Sequence, residues 1–265
     1  MHEPQDDKAR LKELIVTDKV YEAGLLARKM AGAAAGAMHP LLKHKEPRVR
    51  RNVIEVAGEL GGVENARLIL AGLDDGDGEV RSLAALFVDV CAHKELLPSL
   101  LSVMEKQSDQ MLLGSLALQV GTLGGREQIP ALKEFGKKVS DPEQSRYFSL
   151  AKAKLGDGEA RDELVRRFTH PDAPVRFQAL RDCLYVLDKT LAAEFGPALE
   201  DYRDVIKLTL PESREQVSAR VCDAAVYVMK NLGYAFSFRV DSLWVRKESE
   251  LKEARGVVAA MAPRK

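Results

Sequence analysis

His39 and His44 stand five residues apart, a spacing that some zinc sites use. Zinc needs three or four ligands, and no cysteine or third histidine lies near them in sequence. The pair therefore reads as part of a solvated turn between helices. The stretch DDGDGE, residues 74–79, gathers acids as a calcium loop does, but it lacks the twelve-residue ligand order of such a loop. Cys91, Cys183 and Cys222 are odd in number, far apart and without a CxxC pair. They read as buried, reduced thiols of a cytoplasmic protein. His93 and His170 stand alone. No nucleophile–base pair and no glycine-rich phosphate loop is present, since GDGEVR and LGDGEAR are turn chemistry. No catalytic residue, no metal and no cofactor are expected.

The densest basic run, KHKEPRVRR at residues 43–51, raises a different chemistry, contact with a phosphate backbone. The whole chain argues against it. Its 265 residues carry 40 Lys+Arg and 40 Asp+Glu, a formal net charge of zero, whereas nucleic-acid binders usually carry a basic excess. The next copy of the same stretch, LDDGDGEVR, is acidic, so no charged stripe is sustained. Nucleic acid is not an expected partner. Hydrophobic residues make up 46% and charged residues 30%, as in ordinary soluble domains. MHEPQDDKAR has no basic segment followed by an apolar run, so no secretory leader is expected. LLARKMAGAAAGAMHPLL is the longest apolar candidate, and Arg28 and Lys29 interrupt it. No membrane-spanning helix is expected.

The elements that must position these residues come from a repeat. EPRVRRNVIEVAGELGG opens at Glu46, and four related stretches open at Asp77, Asp109, Asp141 and Asp172. The spacings are 31, 32, 32 and 31 residues. Each opening acid suits a helix N-cap, where a carboxylate accepts free backbone N–H groups. Pro47 and Pro142 follow at the first helical position. Apolar residues recur three, seven, ten and fourteen places after the acid, as in Val49, Val53, Val56 and Leu60, which is one stripe of an α-helix. Gly61, Gly124 and Gly156 stand where a helix end needs a left-handed residue. Gln119, Gln144 and Asp182 fall on core positions. The buried carboxylate of Asp182 would be costly unless the register shifted onto Cys183. Arg50, Arg81 and Arg176 follow their acids by four places and are expected to pair with them, or with the neighbouring repeat.

A second apolar stretch follows each such helix: ENARLILAGL, KELLPSLLSVM, REQIPALKEFGKKV and GEARDELVRRF. The unit is thus helix–turn–helix, which cannot bury its faces alone and must stack. Strand signals are nearly absent. At the ends, Thr17 or Asp18 is expected to cap a first helix and Ser218 a last one. The 46 residues between Asp172 and Ser218 exceed the period, so a longer second helix or an extra turn is expected there. Leu251, Ala254, Val258 and Met261 supply a capping helix, and Trp244 is read as a packing residue.

Glu46, Val49, Arg50, Leu60 and Gly61 resemble the short HEAT repeat of bacterial proteins, also found in phycobilin lyases. Asp77, Val80 and Arg81, and Asp172, Val175 and Arg176, match the same pattern. The middle repeats depart from it, with Leu113 and Ser145 in place of the arginine. The resemblance implies an all-α fold, an α-solenoid in the form of a right-handed superhelix of about six to seven HEAT-like helix–turn–helix repeats. Residues 1–16 form an N-terminal tail or capping segment, 17–233 the repeats, and 234–265 a C-terminal capping helix and basic tail. HEAT proteins resembling deoxyhypusine hydroxylase hold two irons with His-Glu pairs, and this chain has one such pair, His2-Glu3. The implied function is a non-catalytic scaffold or adaptor that holds a protein partner on its concave face. There the second helices would present Arg67, Ser99, Ser102, Lys133, Lys137 and Arg166. The alternatives are a nucleic-acid-binding HEAT protein of the DNA-glycosylase type, and a bilin or tetrapyrrole lyase or chaperone.

Overall fold

The computed structural model describes residues 4–30, 32–209, 216–240 and 245–261. His2-Glu3, Trp244 and the basic end of the chain lie outside them. The opening acids start helices, though not all by the same bonds. The Asp77 carboxylate accepts the N–H groups of Glu79 and Val80 at 2.9 and 3.3 Å, and Asp109 those of Met111 and Leu112 at 2.9 and 3.2 Å. Asp141 accepts from Gln144 at 2.9 Å. Glu46 and Asp172 hold the same place in the backbone, but their side chains accept no capping bond. A histidine stands two residues before each. His44 Nδ1 accepts the Glu46 N–H at 3.2 Å and His170 Nδ1 the Asp172 N–H at 3.1 Å. Asp75 does the same for Asp77, at 2.8 Å. The His44 reading as turn chemistry thus gains a specific bond.

The arginine four places into the helix closes the turn from the other side. Arg50 and Arg81 donate to the carbonyls of His44 and Asp75, six residues back, at 2.7 and 2.8 Å, and Arg176 donates to that of His170. Ser145, in the same column, reaches the Val139 carbonyl at 3.4 Å. The expected pairing of each arginine with its own acid is not what forms. Arg50 grips Asp75, in the next turn of the stack, with two bonds of 2.7 and 2.8 Å, and Arg176 pairs with Asp201. Both partners lie 25 residues on, so the second alternative, a bond to the neighbouring repeat, holds for these two. It is Arg48 that stands near Glu46, at 3.6 Å, while also donating to the Val16 carbonyl.

The Arg50–Asp75 bond makes a pH prediction. The Asp75 carboxyl is nearly buried and sits below its ordinary value of 3.8, chiefly through the Arg50 hydrogen bond, with burial opposing. A depressed folded pKa means stability that is complete above 3.8 and lost as pH falls through the lower folded value. In urea unfolding followed below pH 4, Asp75→Asn is expected to flatten the fall in midpoint that the parent chain shows. Parallel acid curves would contradict the linkage.

The repeats stack within two compact units, Met1–Ala151 and Lys152–Lys265. The first holds α1 (Pro4–Val16), α2 (Val20–Met30), α3 (Ala33–Met38), α4 (Pro47–Leu60), α5 (Val63–Leu73), α6 (Gly78–Leu86), α7 (Leu97–Lys106), α8 (Gln110–Leu123), α9 (Ile129–Gly136) and most of α10 (Pro142–Lys154). First helices pack on first helices, α2 on α4 and α4 on α6. Second helices do likewise, α3 on α5 and α5 on α7. Val49, Val53 and Val56 of α4, and Val80 and Ala84 of α6, are fully buried, as their stripe predicts. Each buried aliphatic side chain of this size contributes about 1.5–3 kcal/mol. No register shift spares Asp182, which is buried alongside Cys183. The carboxylate is paired instead, receiving Arg167 at 2.8 Å and Gln178 at 2.9 Å. Gly61 and Gly156 take positive φ, of 65° and 86°, whereas Gly124 has φ of −85° and needs no glycine on that ground.

The second unit holds α11 (Gly158–Arg167), α12 (Ala173–Val186), α13 (Gly196–Leu199), β1 (Asp204–Thr209), β2 (Gln216–Arg220), α14 (Val221–Asn231) and α15 (Glu248–Met261). Of the longer second helix or extra turn expected before Ser218, the longer helix does not form, while extra turns do. A 3₁₀ turn, Lys189–Glu194, and α13 lead instead into an antiparallel pair, with Lys207 opposite Ser218. Ser218 is therefore a strand residue, and α14 begins after Arg220, where Asp223 accepts the Arg220 N–H at 3.0 Å. Thr17 and Asp18 close α1 rather than cap α2. Thr17 donates to the Glu13 carbonyl at 2.7 Å, and Asp18 takes φ of 66° and accepts from Asn52 at 2.8 Å. Leu251, Ala254 and Val258 of α15 are buried as expected, while Met261 is only half-buried.

Candidate functional site

All three cysteines are free and buried, and burial pushes Cys91 up to about 12 and Cys222 up to about 11. Such thiols stay protonated at neutral pH and are poor nucleophiles. Among the described residues no group of three His, Cys, Asp or Glu stands where it could hold a metal. The acids of DDGDGE serve the fold, Asp75 on Arg50 and Asp77 on the start of α6.

The feature that the fold leaves open lies on the first helices of the first unit. The stripe of the second repeat predicts one helix from Gly78 to Cys91, but α6 ends at Leu86. Phe87 takes φ of −103° and ψ of 16°, and the chain continues as a 3₁₀ turn, Val88–Cys91. The cause is tertiary. The Phe87 ring lies on Gly58 of α4, so close that a Cβ there would stand 2.4 Å from the ring. Val88 and Cys91 turn inward, and Leu86 is left 77% exposed. On α8, Met111 is 71% exposed.

Two depressions flank Leu86. One lies between α4 and α6, about 920 Å³, with Arg51, Glu55, Glu59 and Glu79 in its walls. The other, about 450 Å³, lies among α6, α8 and α10 and includes Met111, Glu143, Gln144 and Tyr147. Ser82 and Leu86 belong to both, so they form one groove with Leu86 as the ridge inside it. Six acids line it, Asp77 and Asp109 completing the set, and Arg51 is the single base in its described walls. Arg28 and Arg146 stand 3.6 Å from Glu59 and Glu143. Gln144 is buried, and its Oε1 lies over Gly114 without a hydrogen-bond donor.

The residues expected from the sequence lie elsewhere. Arg67 on α5, Ser99 and Ser102 on α7 and Lys133 on α9 are exposed on second helices, with Lys137 at the end of α9. Arg67 stands 3.5 Å from Glu64, and Lys137 bonds Glu134 at 2.6 Å. Arg166, on α11, belongs to the second unit. None of the six lines the groove. Sequence reasoning passed over Leu86 and Met111 because they fall outside the buried stripe. Met111 did carry a signal, since its column holds Arg48, Glu79, Glu143 and Pro174 in the other repeats.

Stacked helix pairs with acid-started first helices define a HEAT-like helical-repeat fold. The chain is similar to the complex of CpcE and CpcF of phycocyanin lyase from Nostoc sp. PCC7120, with a TM-score of 0.51 and 15% identity. That match covers 98% of this chain and 94% of the other. Human deoxyhypusine hydroxylase in complex with glycerol gives a TM-score of 0.36 and 13% identity, over 97% and 96% of the two chains. No protein-family model and no curated protein matches the chain. At 15% identity the likeness is one of fold. Among the described residues no helix is long and apolar enough to cross a membrane.

Proposed function

We propose that this chain is a non-catalytic, cytoplasmic scaffold that holds a protein partner in the groove across α4, α6, α8 and α10. One observation carries the reading: Leu86 and Met111, two large apolar side chains, stand exposed at 77% and 71% beside adjoining depressions. Exposed apolar residues scattered singly need no explanation, but a pair lining one groove marks an interaction surface. A solved structure that shares the fold is itself a complex of two proteins, which supports a protein partner. The acidic walls disfavour nucleic acid. The three buried, unbridged thiols agree with a reducing compartment.

The test compares two double variants in affinity capture from the native host. Leu86→Glu/Met111→Glu is expected to lose a partner that Lys133→Glu/Lys137→Glu retains. Both pairs are exposed, so both variants should keep the parent circular dichroism. The opposite pattern would move binding to the second helices. Equal recovery by all three proteins would reject the groove.

A further inference from the structure

We infer that the groove's occupant is a basic amphipathic α-helix. This rests on the scaffold reading and adds the partner's chemistry. A helix is the natural occupant of an apolar groove with charged walls, since it can place one apolar stripe inward and its remaining side chains on the rim. Leu86 divides the groove, so the inward stripe must straddle it, with one apolar anchor on either side.

Charge selects the rest. Glu55 and Glu79 stand in the wall between α4 and α6, and Glu143 beside Met111, with Arg51 as the single base of the described walls. An acidic or neutral helix would bring its flanks against these carboxylates, whereas Lys and Arg would meet them. Complementary charge of this kind sets partner choice and speeds encounter.

The probe is a fluorescently labelled helical peptide of about 18 residues, with Leu at helical i, i+4, i+7 spacing and Lys on the outer face. A second peptide carries Glu at every Lys position. Anisotropy titrations use the full chain. The basic peptide is expected to bind at least about tenfold more tightly than the acidic one, with affinity falling as salt rises. Glu55→Lys/Glu79→Lys should weaken it about tenfold or more. Leu86→Glu/Met111→Glu serves as the sharpest control. It makes the groove more acidic while removing the apolar ridge, so mere charge attraction would strengthen and seated docking is lost.

Stronger binding to Leu86→Glu/Met111→Glu, or indifference to Glu55→Lys/Glu79→Lys, would overturn the inference. If the captured native partner depends on Leu86 and Met111 but not on Glu55 and Glu79, the scaffold reading stands and the basic helix falls. Concentration-dependent dimerisation abolished by Leu86→Glu/Met111→Glu would assign the groove to a second copy of this chain and likewise overturn it.

Discussion

Asp223→Ala is expected to lower the stability of the second unit by about 3–5 kcal/mol, the cost of breaking a buried ion pair from one side. Asp223 has no exposed surface, and its carboxylate is fully used. It accepts Arg220 at Nε and Nη2, at 2.8 and 2.9 Å, and the backbone N–H groups of Arg220 and Arg246, at 3.0 and 2.8 Å. One side chain therefore ties the start of α14 to the segment that leads into α15. Removing it leaves a largely buried guanidinium without its charge partner and strands the buried Arg246 N–H. Asp223→Asn keeps one acceptor oxygen but turns an amide donor toward other donors, so its cost should fall between, at about 1–3 kcal/mol. Urea unfolding checks the order. Amide exchange in Glu248–Met261 should accelerate in both variants, more in Asp223→Ala. Equal and small losses would mean that Arg220 finds solvent or another partner in the folded chain.

What the sequence made legible was what neighbouring residues decide among themselves. The opening acids, the apolar stripe and the 31–32 residue period are local, and Val49, Val53, Val56, Val80 and Ala84 are buried where the pattern put them. What escaped was set by the stack. The partners of Arg50 and Arg176 lie 25 residues away, a distance that only the packing of one turn over the next can close. The early end of α6 has the same origin, because it depends on Gly58 offering a ring-sized notch to Phe87. The strands escaped for a different reason. A helical period seen over most of the chain made the extra residues before Ser218 look like more helix. Yet DVIKLT, rich in β-branched and apolar residues, pairs antiparallel with the more polar QVSAR.

The sequence predicts a binding surface on exposed side chains of the second helices, because the resemblance implies a concave face there. The structure leaves the large exposed apolar groups Leu86 and Met111 on first helices. A column-by-column reading would have flagged Met111 against Arg48, Glu79 and Glu143. Leu86 carries a weaker signal, since its column holds Glu55 and Arg181 but also Leu118 and Leu150.

Asp201→Ala is expected to cost the second unit about 3–5 kcal/mol, and Arg176→Met only about 1–3 kcal/mol, although both break the same ion pair. The asymmetry follows from what each change leaves behind. Arg176 is buried, with 6% of its side chain exposed, and apart from Asp201 it reaches only the His170 carbonyl among its described bonds. Without Asp201 its charge stays in the interior uncompensated. Asp201, by contrast, has a second cation. Arg203 Nε stands 2.9 Å away on the solvent side and holds the carboxylate when Arg176 is gone, while methionine keeps much of the buried stem volume. The equivalent pair in the first unit should behave more mildly. Arg50 is 15% exposed, so Asp75→Ala leaves a guanidinium that water can reach, and its cost should fall below that of Asp201→Ala. Urea midpoints for the three variants test the ranking, read separately for each unit where two transitions resolve. If Arg176→Met cost as much as Asp201→Ala, the column would owe its stability to the guanidinium's carbonyl contacts rather than to the carboxylate of the next turn.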